Sequence, residues 1–229
     1  MSIASERYNQ AFQQEAARYE YAEAAQKREA DFATQVVGGT PVEEYPNYDI
    51  ASRLVTAEAE LAGITPDDNV LFIGSGPFPS SAICLARQYD ASVTCYDTDS
   101  VACESSSAVF KKIGMEDKLK AVNASGESGP VEDFSVIVVA LEVMPKQDVL
   151  QNILNHAQPG VKVIMRSSEG QRQSLFPALR PGNPAFGING EGFHPVGSTV
   201  KQPEFDVVST LYVRPSVNGK INTKPIGKV

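Results

Sequence analysis

Residues 70–79 read Val-Leu-Phe-Ile-Gly-Ser-Gly-Pro-Phe-Pro, and this stretch decides the fold. The apolar run predicts a buried β-strand, and the Gly-Ser-Gly-Pro sequence after it predicts a tight turn into a helix. Glycine lets the backbone approach a ligand closely, and a helix start offers unpaired N–H groups at the positive end of the helix dipole. The stretch therefore predicts the strand, turn and helix of a nucleotide-binding sheet.

Short apolar runs alternate with helical stretches on the C-terminal side of this segment, which predicts a parallel sheet with helical crossovers. Residues 193–200 and 206–213 are strand-like with no helix between them, and we expect them to close the sheet as a reversed, antiparallel pair. The predicted fold class is α/β, a Rossmann-like class I methyltransferase fold with a mainly parallel seven-stranded sheet. The other predicted strands are 70–73, 92–96, 119–122, 136–141 and 161–165, and the predicted crossover helices are 80–89, 100–113 and 146–157.

The N-terminal region is predicted to be helical. Between Ser5 and Gln35 there is no Gly or Pro, and an apolar stripe of Tyr8, Phe12, Ala16 and Tyr19 is expected to hold this helix on the body. A Gly- and Pro-containing break at 37–46 precedes a second helix that ends at Ala62. We expect residues 1–62 to form a helical lid, 63–215 a ligand-binding domain, and 216–229 a polar tail.

Composition excludes several classes of protein. Among the 229 residues, Lys and Arg number 20 against 28 Asp and Glu, and a net charge of −8 disfavours nucleic-acid partners. The longest apolar run, Val136 to Leu141, is too short to cross a bilayer, so no membrane partner is expected. Three cysteines without a CxxC pair suit a reducing, cytoplasmic compartment, and two distant histidines predict no metal site. The expected partner is a small-molecule substrate; the oligomeric state stays open, a homodimer included.

An acidic residue complements the glycine-rich turn. Asp97 lies 21 residues after Gly76, at the end of the second predicted strand, where a carboxylate can accept hydrogen bonds from both ribose hydroxyls. This geometry serves both NAD and S-adenosylmethionine. Because Pro77 and Pro79 remove N–H groups that a pyrophosphate would use, S-adenosylmethionine is favoured. The alternative is that the glycines only form a turn. The expected S-adenosylmethionine contacts are Gly74, Ser75, Gly76, Pro77, Asp97, Thr98, Asn123, Ala124, Ser125 and Leu141.

Four segments resemble nicotianamine synthases in the same order. Phe72 to Pro79 resembles the GSGPLP signature of that family, which is far more specific than a bare GxG. The other matches are Tyr45-Pro46-Asn47-Tyr48, Arg166-Ser167 with Gly170 and Arg172, and the run from Gly192 to Val213. The resemblance covers residues 45–213. It implies that an amine attacks the γ-carbon of S-adenosylmethionine and expels 5'-methylthioadenosine.

The chain departs from that family at its front, where only 44 residues precede Tyr45. Nicotianamine synthases carry a larger helical domain there, whereas azetidine-2-carboxylic acid synthases are similar to this chain in size. That resemblance implies that the α-amine of S-adenosylmethionine itself attacks and closes a four-membered ring. The alternatives are transfer to a separate amine, as in nicotianamine or opine-metallophore synthases, a small-molecule methyltransferase, and a non-catalytic adenosine-binding module.

Cyclisation needs a neutral amine and a carboxylate that is held away from the reacting carbon. The resemblance places the catalytic glutamate near Glu20, and Glu23 on the same predicted helix is a second candidate. Arg166 follows a predicted strand and is expected to hold the substrate carboxylate through its forked guanidinium, with an ordinary surface ion pair as the alternative.

Aromatic and acidic side chains are expected around the sulfonium and the ammonium. Tyr45 and Tyr48 match the family motif and are expected to point into the cleft, with the Tyr48 hydroxyl near the amine. Tyr19 is expected to cover the site from the lid. Glu142, after the fourth predicted strand, either orients the ammonium or caps the next helix.

Overall fold

The structure is a computed structural model that describes residues 3–170, 173–179, 193–198 and 206–214. The predicted tail at 216–229, together with Arg172 and residues 199–200, lies outside the described residues. The described ranges include every strand of one seven-stranded sheet, in the order β3-β2-β1-β4-β5-β7-β6. The strands are β1 (Asn69–Ile73), β2 (Ser92–Asp97), β3 (Leu119–Asn123), β4 (Val136–Val139), β5 (Lys162–Ser168), β6 (His194–Ser198) and β7 (Val207–Val213).

The first five strands are parallel, which confirms the predicted α/β class. β7 runs antiparallel to both β5 and β6, since it is inserted between them. The expected antiparallel pair at the end of the sheet is therefore confirmed. β6 runs in the direction of the first five strands, and β7 alone is reversed.

In the described part of the chain, five α-helices accompany the sheet: α1 (Ile3–Gly38), α2 (Tyr48–Ala62), α3 (Ser80–Tyr89), α4 (Ser100–Lys112) and α5 (Lys146–His156). Alternate residues of the strands face opposite sides, as the two-residue period of a strand requires. In β1, Val70 and Phe72 join the core cluster under α2, α3 and α4. Leu71 and Ile73 join the cluster under α5. Both faces are buried, which explains why β1 and β4 read as unbroken apolar runs.

Helix α1 is 36 residues long, and its C-terminal part holds it on the body. Phe32, Ala33 and Val36 are buried in the core beside Phe78. By contrast, Phe12 is 65% exposed and Tyr19 is 70% exposed. Phe12 and Tyr19 of the predicted stripe therefore do not hold the helix on the body, and the side chain of Tyr8 lies outside the described residues. No helix among the described residues is long and apolar enough to cross a membrane.

Candidate functional site

The carboxyl ends of β1, β2 and β4 meet at one edge of the sheet, and helix α1 passes over that edge. Between them lies a first cavity of about 530 Å³. The walls come from the turn after β1, the segments after β2, β3 and β4, and one face of α1. The lining residues include Gln26, Glu29, Gly74 to Pro77, Asp97 to Asp99, Ala124 to Glu127, and Glu142 to Met144.

A second and a third cavity adjoin the first. The second, of about 170 Å³, shares Glu29, Gly74, Ser75 and Glu142 with it and extends toward the start of α3. The third, of about 370 Å³, lies between α1 and the segment after β4. Glu142 lines all three cavities, which places the residue after β4 at their junction.

The turn after β1 takes its shape from two glycines with positive φ, Gly74 at 78° and Gly76 at 68°. A Cβ at Gly74 would overlap the Val143 side chain, and a Cβ at Gly76 would overlap Oε2 of Glu29. The Gly76 N–H donates to Asp97 Oδ2 over 2.8 Å. Asp97 therefore both fixes the turn and lines the first cavity. The absence of a side chain at Gly76 lets the Glu29 carboxylate lie close to the backbone.

Glu29 is the main site residue that the sequence analysis missed. It lies on α1 and lines both the first and the second cavity. Burial, reinforced by the charges of Glu142 and Asp97, raises the pKa of its carboxyl from 4.5 to about 8. Phe32, Ala33 and Val36 follow it at steps of three, four and seven residues. A carboxylate that interrupts this apolar stripe is the sequence signal that could have identified Glu29 as a candidate site residue.

The two glutamates that were expected to act, Glu20 and Glu23, are both exposed on α1. Neither belongs to the lining of the three cavities described here. Helical rotation points positions 20 and 23 into solvent and position 29 at the sheet edge. Tyr19 lines the third cavity and is not among the described lining residues of the first two.

The two tyrosines of the 45–48 motif lie in different environments. Tyr45 lines the second cavity and packs against Phe32 and Phe78, with ring centroids 5.1 and 4.9 Å away. Burial raises the pKa of its hydroxyl to about 12, so the group stays protonated and can donate a hydrogen bond. Tyr48 does not line any of these cavities, contrary to the expectation. Its hydroxyl accepts a hydrogen bond from Arg87 Nη1 at 3.3 Å, because Tyr48 begins α2 and faces α3.

Arg166 is buried and forms an ion pair with Glu58. Its guanidinium is therefore not wholly available to a substrate carboxylate, contrary to the expectation, and it does not form the alternative surface ion pair. Its Nε and Nη2 donate to the two carboxylate oxygens of Glu58, each over 2.8 Å. Its Nη1 donates to Ser81 Oγ at 3.1 Å. Three of its five N–H groups are accounted for in these bonds. Because Arg166 also lines the second cavity, the remaining N–H groups are the ones that a ligand there would meet.

The residues that were expected to contact adenosine do not all line the same cavity. Asp97, Thr98, Ala124 and Ser125 line the first cavity. Asn123 is instead turned toward β2, where its Nδ2 donates to the Asp97 carbonyl at 3.0 Å. Leu141 lines the second cavity rather than the first. Gly126 and Glu127, which the sequence analysis did not single out, complete the wall after β3.

The charge of the first cavity is one-sided. Five carboxylates line it, those of Glu29, Asp97, Asp99, Glu127 and Glu142, and no Lys or Arg is among its described lining residues. The second cavity is balanced, with Arg28 and Arg166 against Glu29 and Glu142. No group of three or more His, Cys, Asp or Glu residues in the described part of the chain has the arrangement of a metal site. The first cavity suits a cation and the second a zwitterion.

Comparison with known proteins gives a consistent result. The family described as "Nicotianamine synthase protein" matches residues 22–216. L-histidine 2-aminobutanoyltransferase of Pseudomonas aeruginosa is 30% identical over 155 residues, which are 67% of this chain and 57% of that protein. Nicotianamine synthase 9 of Hordeum vulgare is 27% identical over 153 residues, 63% of this chain and 43% of that protein. The chain spans about half the length of the curated relatives it matches.

A solved structure shares the fold. It is the crystal structure of MtNAS in complex with MTA and tNA, with a TM-score of 0.74 and 22% sequence identity over 86% of this chain and 74% of that one. At this level of identity the likeness concerns the fold alone.

Proposed function

Because the chain belongs to the nicotianamine synthase family, we propose that it catalyses attack of an amine on the γ-carbon of S-adenosylmethionine and releases 5'-methylthioadenosine. The observation that carries this proposal is the one-sided charge of the first cavity, whose wall has four acidic side chains besides the protonated Glu29 and no described Lys or Arg. S-adenosylmethionine brings a sulfonium and an ammonium, which carboxylates attract. The same wall repels the pyrophosphate of a dinucleotide.

The adenosine is assigned to the first cavity. Asp97 keeps acceptor capacity for the ribose hydroxyls, since a carboxylate has about four lone-pair sites and two are used by the N–H groups of Gly76 and Asp99. Ala124 to Glu127 would face the adenine. The aminocarboxypropyl arm would then pass Gly74 and Ser75 into the second cavity, where Arg166 and Tyr45 offer hydrogen-bond donors to its carboxylate.

Glu29 is the proposed general base. It faces both the cavity for the sulfonium and the cavity for the amine, and a cationic substrate beside it favours its ionised form. The carboxylate accepts a proton from the ammonium. The freed nitrogen lone pair forms the N–Cγ bond while the Cγ–S electron pair moves to sulfur, which turns the sulfonium into the neutral thioether of methylthioadenosine.

Within this reaction, we propose that the attacking nitrogen is the substrate's own α-amine, which gives azetidine-2-carboxylate. The second cavity of about 170 Å³ is smaller than the roughly 300 Å³ at which pockets for independent small molecules begin. It suits one aminocarboxypropyl arm alone. Holding the carboxylate at Arg166 would keep it from attacking the γ-carbon to form the less strained lactone.

A second candidate is transfer of the arm to a separate amine, and the third cavity favours it. At about 370 Å³ it is large enough for an amino acid, and Glu142 joins it to the other two cavities. Arg18 and Glu15 in its wall complement a carboxylate and an ammonium.

Product analysis separates the two candidates. The purified protein is incubated with S-adenosylmethionine labelled in the aminocarboxypropyl group, alone and with a mixture of free amino acids, and products are identified by mass spectrometry. Methylthioadenosine with azetidine-2-carboxylate from S-adenosylmethionine alone supports cyclisation. Methylthioadenosine that forms only with an amino acid, together with the corresponding adduct, supports transfer. S-adenosylhomocysteine, or binding without any product, overturns the proposed function.

A further inference from the structure

Lys146 occupies a position that is unfavourable for a lysine. It is the first residue of α5, only 2% exposed, and its positive charge lies at the positive end of the helix dipole. Burial lowers the pKa of its ammonium to about 8. A residue that breaks local rules at such a cost is expected to be compensated by something specific in the fold.

The compensation is the segment 141–144 that follows β4. Lys146 Nζ donates to the Leu141 carbonyl at 2.6 Å and to the Val143 carbonyl at 3.0 Å, and Met144 Sδ lies 3.8 Å away. The ammonium also lies 6.0 Å from the ring centroid of Phe176. The two carbonyls flank Glu142, so the ammonium draws the backbone into a loop with Glu142 at its tip.

Both outward residues of this loop contact the site. Glu142 lines all three cavities, and the Val143 side chain occupies the space that a Cβ on Gly74 would take. Lys146 itself is absent from the lining of these cavities, so it lies behind the wall and does not meet a ligand.

We infer that Lys146 is a positioning residue that sets the place of Glu142 and Val143 against the glycine turn, and thereby the affinity of the site for the cationic arm of the substrate. The inference rests on the proposed function, because it takes S-adenosylmethionine as the ligand. It assigns Lys146 no proton transfer: the ammonium acts through two backbone carbonyls.

The test is a double-mutant cycle on S-adenosylmethionine binding, measured by calorimetry, with K146M, E142Q and the double variant. Methionine keeps most of the side-chain length and apolar volume but donates no hydrogen bond. We expect K146M to weaken binding by about ten-fold in the wild-type background and by about two-fold in the E142Q background, since coupled residues are not additive. Turnover is measured in parallel, and we expect KM to rise more than kcat falls.

K118M is the matched control. Lys118 also donates to a backbone carbonyl, that of Asp90 at 2.8 Å, but it lies on the loop before β3, away from the cavities. We expect K118M to leave the affinity for S-adenosylmethionine unchanged. Thermal unfolding of each variant reports whether it is folded, and K146Q, which keeps one amide donor, replaces K146M if that variant does not fold.

Equal weakening by K146M in both backgrounds would make its effect purely structural and would overturn the inference. So would wild-type affinity in K146M, or failure of both Lys146 variants to fold. These results are distinct from a failure of the proposed function, which would appear in the wild type as no binding of S-adenosylmethionine and no methylthioadenosine. In that case the inference fails with it.

Discussion

At Glu29, a carboxylate takes a place that the pattern of helix α1 otherwise gives to apolar side chains. The residues three, four and seven positions later are Phe32, Ala33 and Val36, all buried. Burial of a carboxylate among them costs free energy unless the group is neutral or meets a cation. In the unliganded protein, the pKa of about 8 keeps the Glu29 carboxyl protonated and neutral near neutral pH. When a sulfonium ligand is bound, its positive charge compensates the ionised carboxylate instead.

Replacement of Glu29 by glutamine tests its proposed role as the base. E29Q keeps the shape and hydrogen-bonding capacity of the side chain but cannot take a proton, so we expect methylthioadenosine formation to fall by at least about 100-fold. E23Q, the same substitution on the exposed face of α1, is expected to keep full activity. The rates are measured by chromatography at saturating S-adenosylmethionine. Loss of activity in E23Q with retention in E29Q would reverse the assignment.

Gly76 combines a positive φ with a close neighbour, and Gly114 offers the same φ without one. The φ angles are 68° and 67°, yet a Cβ at Gly76 would overlap the Glu29 carboxylate whereas nothing lies within 4 Å of a Cβ at Gly114. We expect G114A to lower the free energy of unfolding by about 1–2 kcal/mol through backbone strain alone. G76A should lower it further and also abolish detectable binding of S-adenosylmethionine. Urea unfolding and calorimetry measure the two effects, and equal behaviour of the two variants would refute the close-approach argument.

At the scale of elements, helix α1 is anchored at one end and linked to the sheet edge near its middle. Among the described side chains of α1, the buried ones lie at 32–36, and farther toward the N-terminus Gln26 Nε2 donates to Asp99 Oδ2 at 2.7 Å. Gln26 and Asp99 both line the first cavity. The division into a lid at 1–62 and a binding domain at 63–215 remains a proposal, and this hydrogen bond is where it can be tested.

Removal of the Gln26 side chain should loosen α1 over the first cavity. We expect Q26A to weaken S-adenosylmethionine binding by about two- to ten-fold, the range that corresponds to one hydrogen bond, mainly through faster dissociation. Asp99 is unsuitable for mutation, because its Oδ1 also accepts from Val101 N–H at the start of α4. Q35A, on an exposed position of the same helix, is the control. Stopped-flow dissociation rates that are equal in Q26A and Q35A would contradict a lid held by this contact.

At the scale of the whole molecule, the acidic residues behind the net charge of −8 lie in different environments. Much of the acidity lies on the surface, where water screens it, but five carboxylates converge on one cavity. One of them, Glu29, is partly buried and desolvated, with a pKa far above its ordinary value, so protonation of this group is linked to the stability of the whole fold.

The upward shift of the Glu29 pKa predicts how the free energy of unfolding changes with pH. Between pH 4.5 and about 8, the folded protein retains the Glu29 proton that the unfolded chain has already lost, so this group makes the free energy of unfolding fall as pH rises. Lys146, with its pKa lowered to about 8, acts in the opposite direction but only above that pH.

We expect urea unfolding of the wild type and of E29Q to diverge across this window, with E29Q losing less stability between pH 5 and pH 8. Because the two proteins share every other titratable group, the difference between their free energies of unfolding at each pH reports the titration of Glu29. Parallel pH profiles would show that Glu29 titrates normally, and the proposed electrostatics of the site would then be wrong.

The sequence by itself determined the α/β class, the glycine turn and the approximate bounds of nearly every described element. These features depend on local periodicity and on the conformational freedom of glycine, which are properties of short segments. It also placed Asp97, Ala124 and Ser125 near the turn, because parallel strands bring their carboxyl ends to one edge.

Only the tertiary structure decided which carboxylate on α1 faces the cavity, that Tyr48 turns to Arg87, and that Arg166 is already paired with Glu58. The same is true of the insertion of β7 between β5 and β6. Each of these outcomes depends on the rotation of a long helix or on contacts between separate elements of the chain, such as that of Arg166 with Glu58 at a separation of 108 residues. Side-chain direction and long-range pairing follow from how whole elements pack, and no short stretch of sequence contains that information.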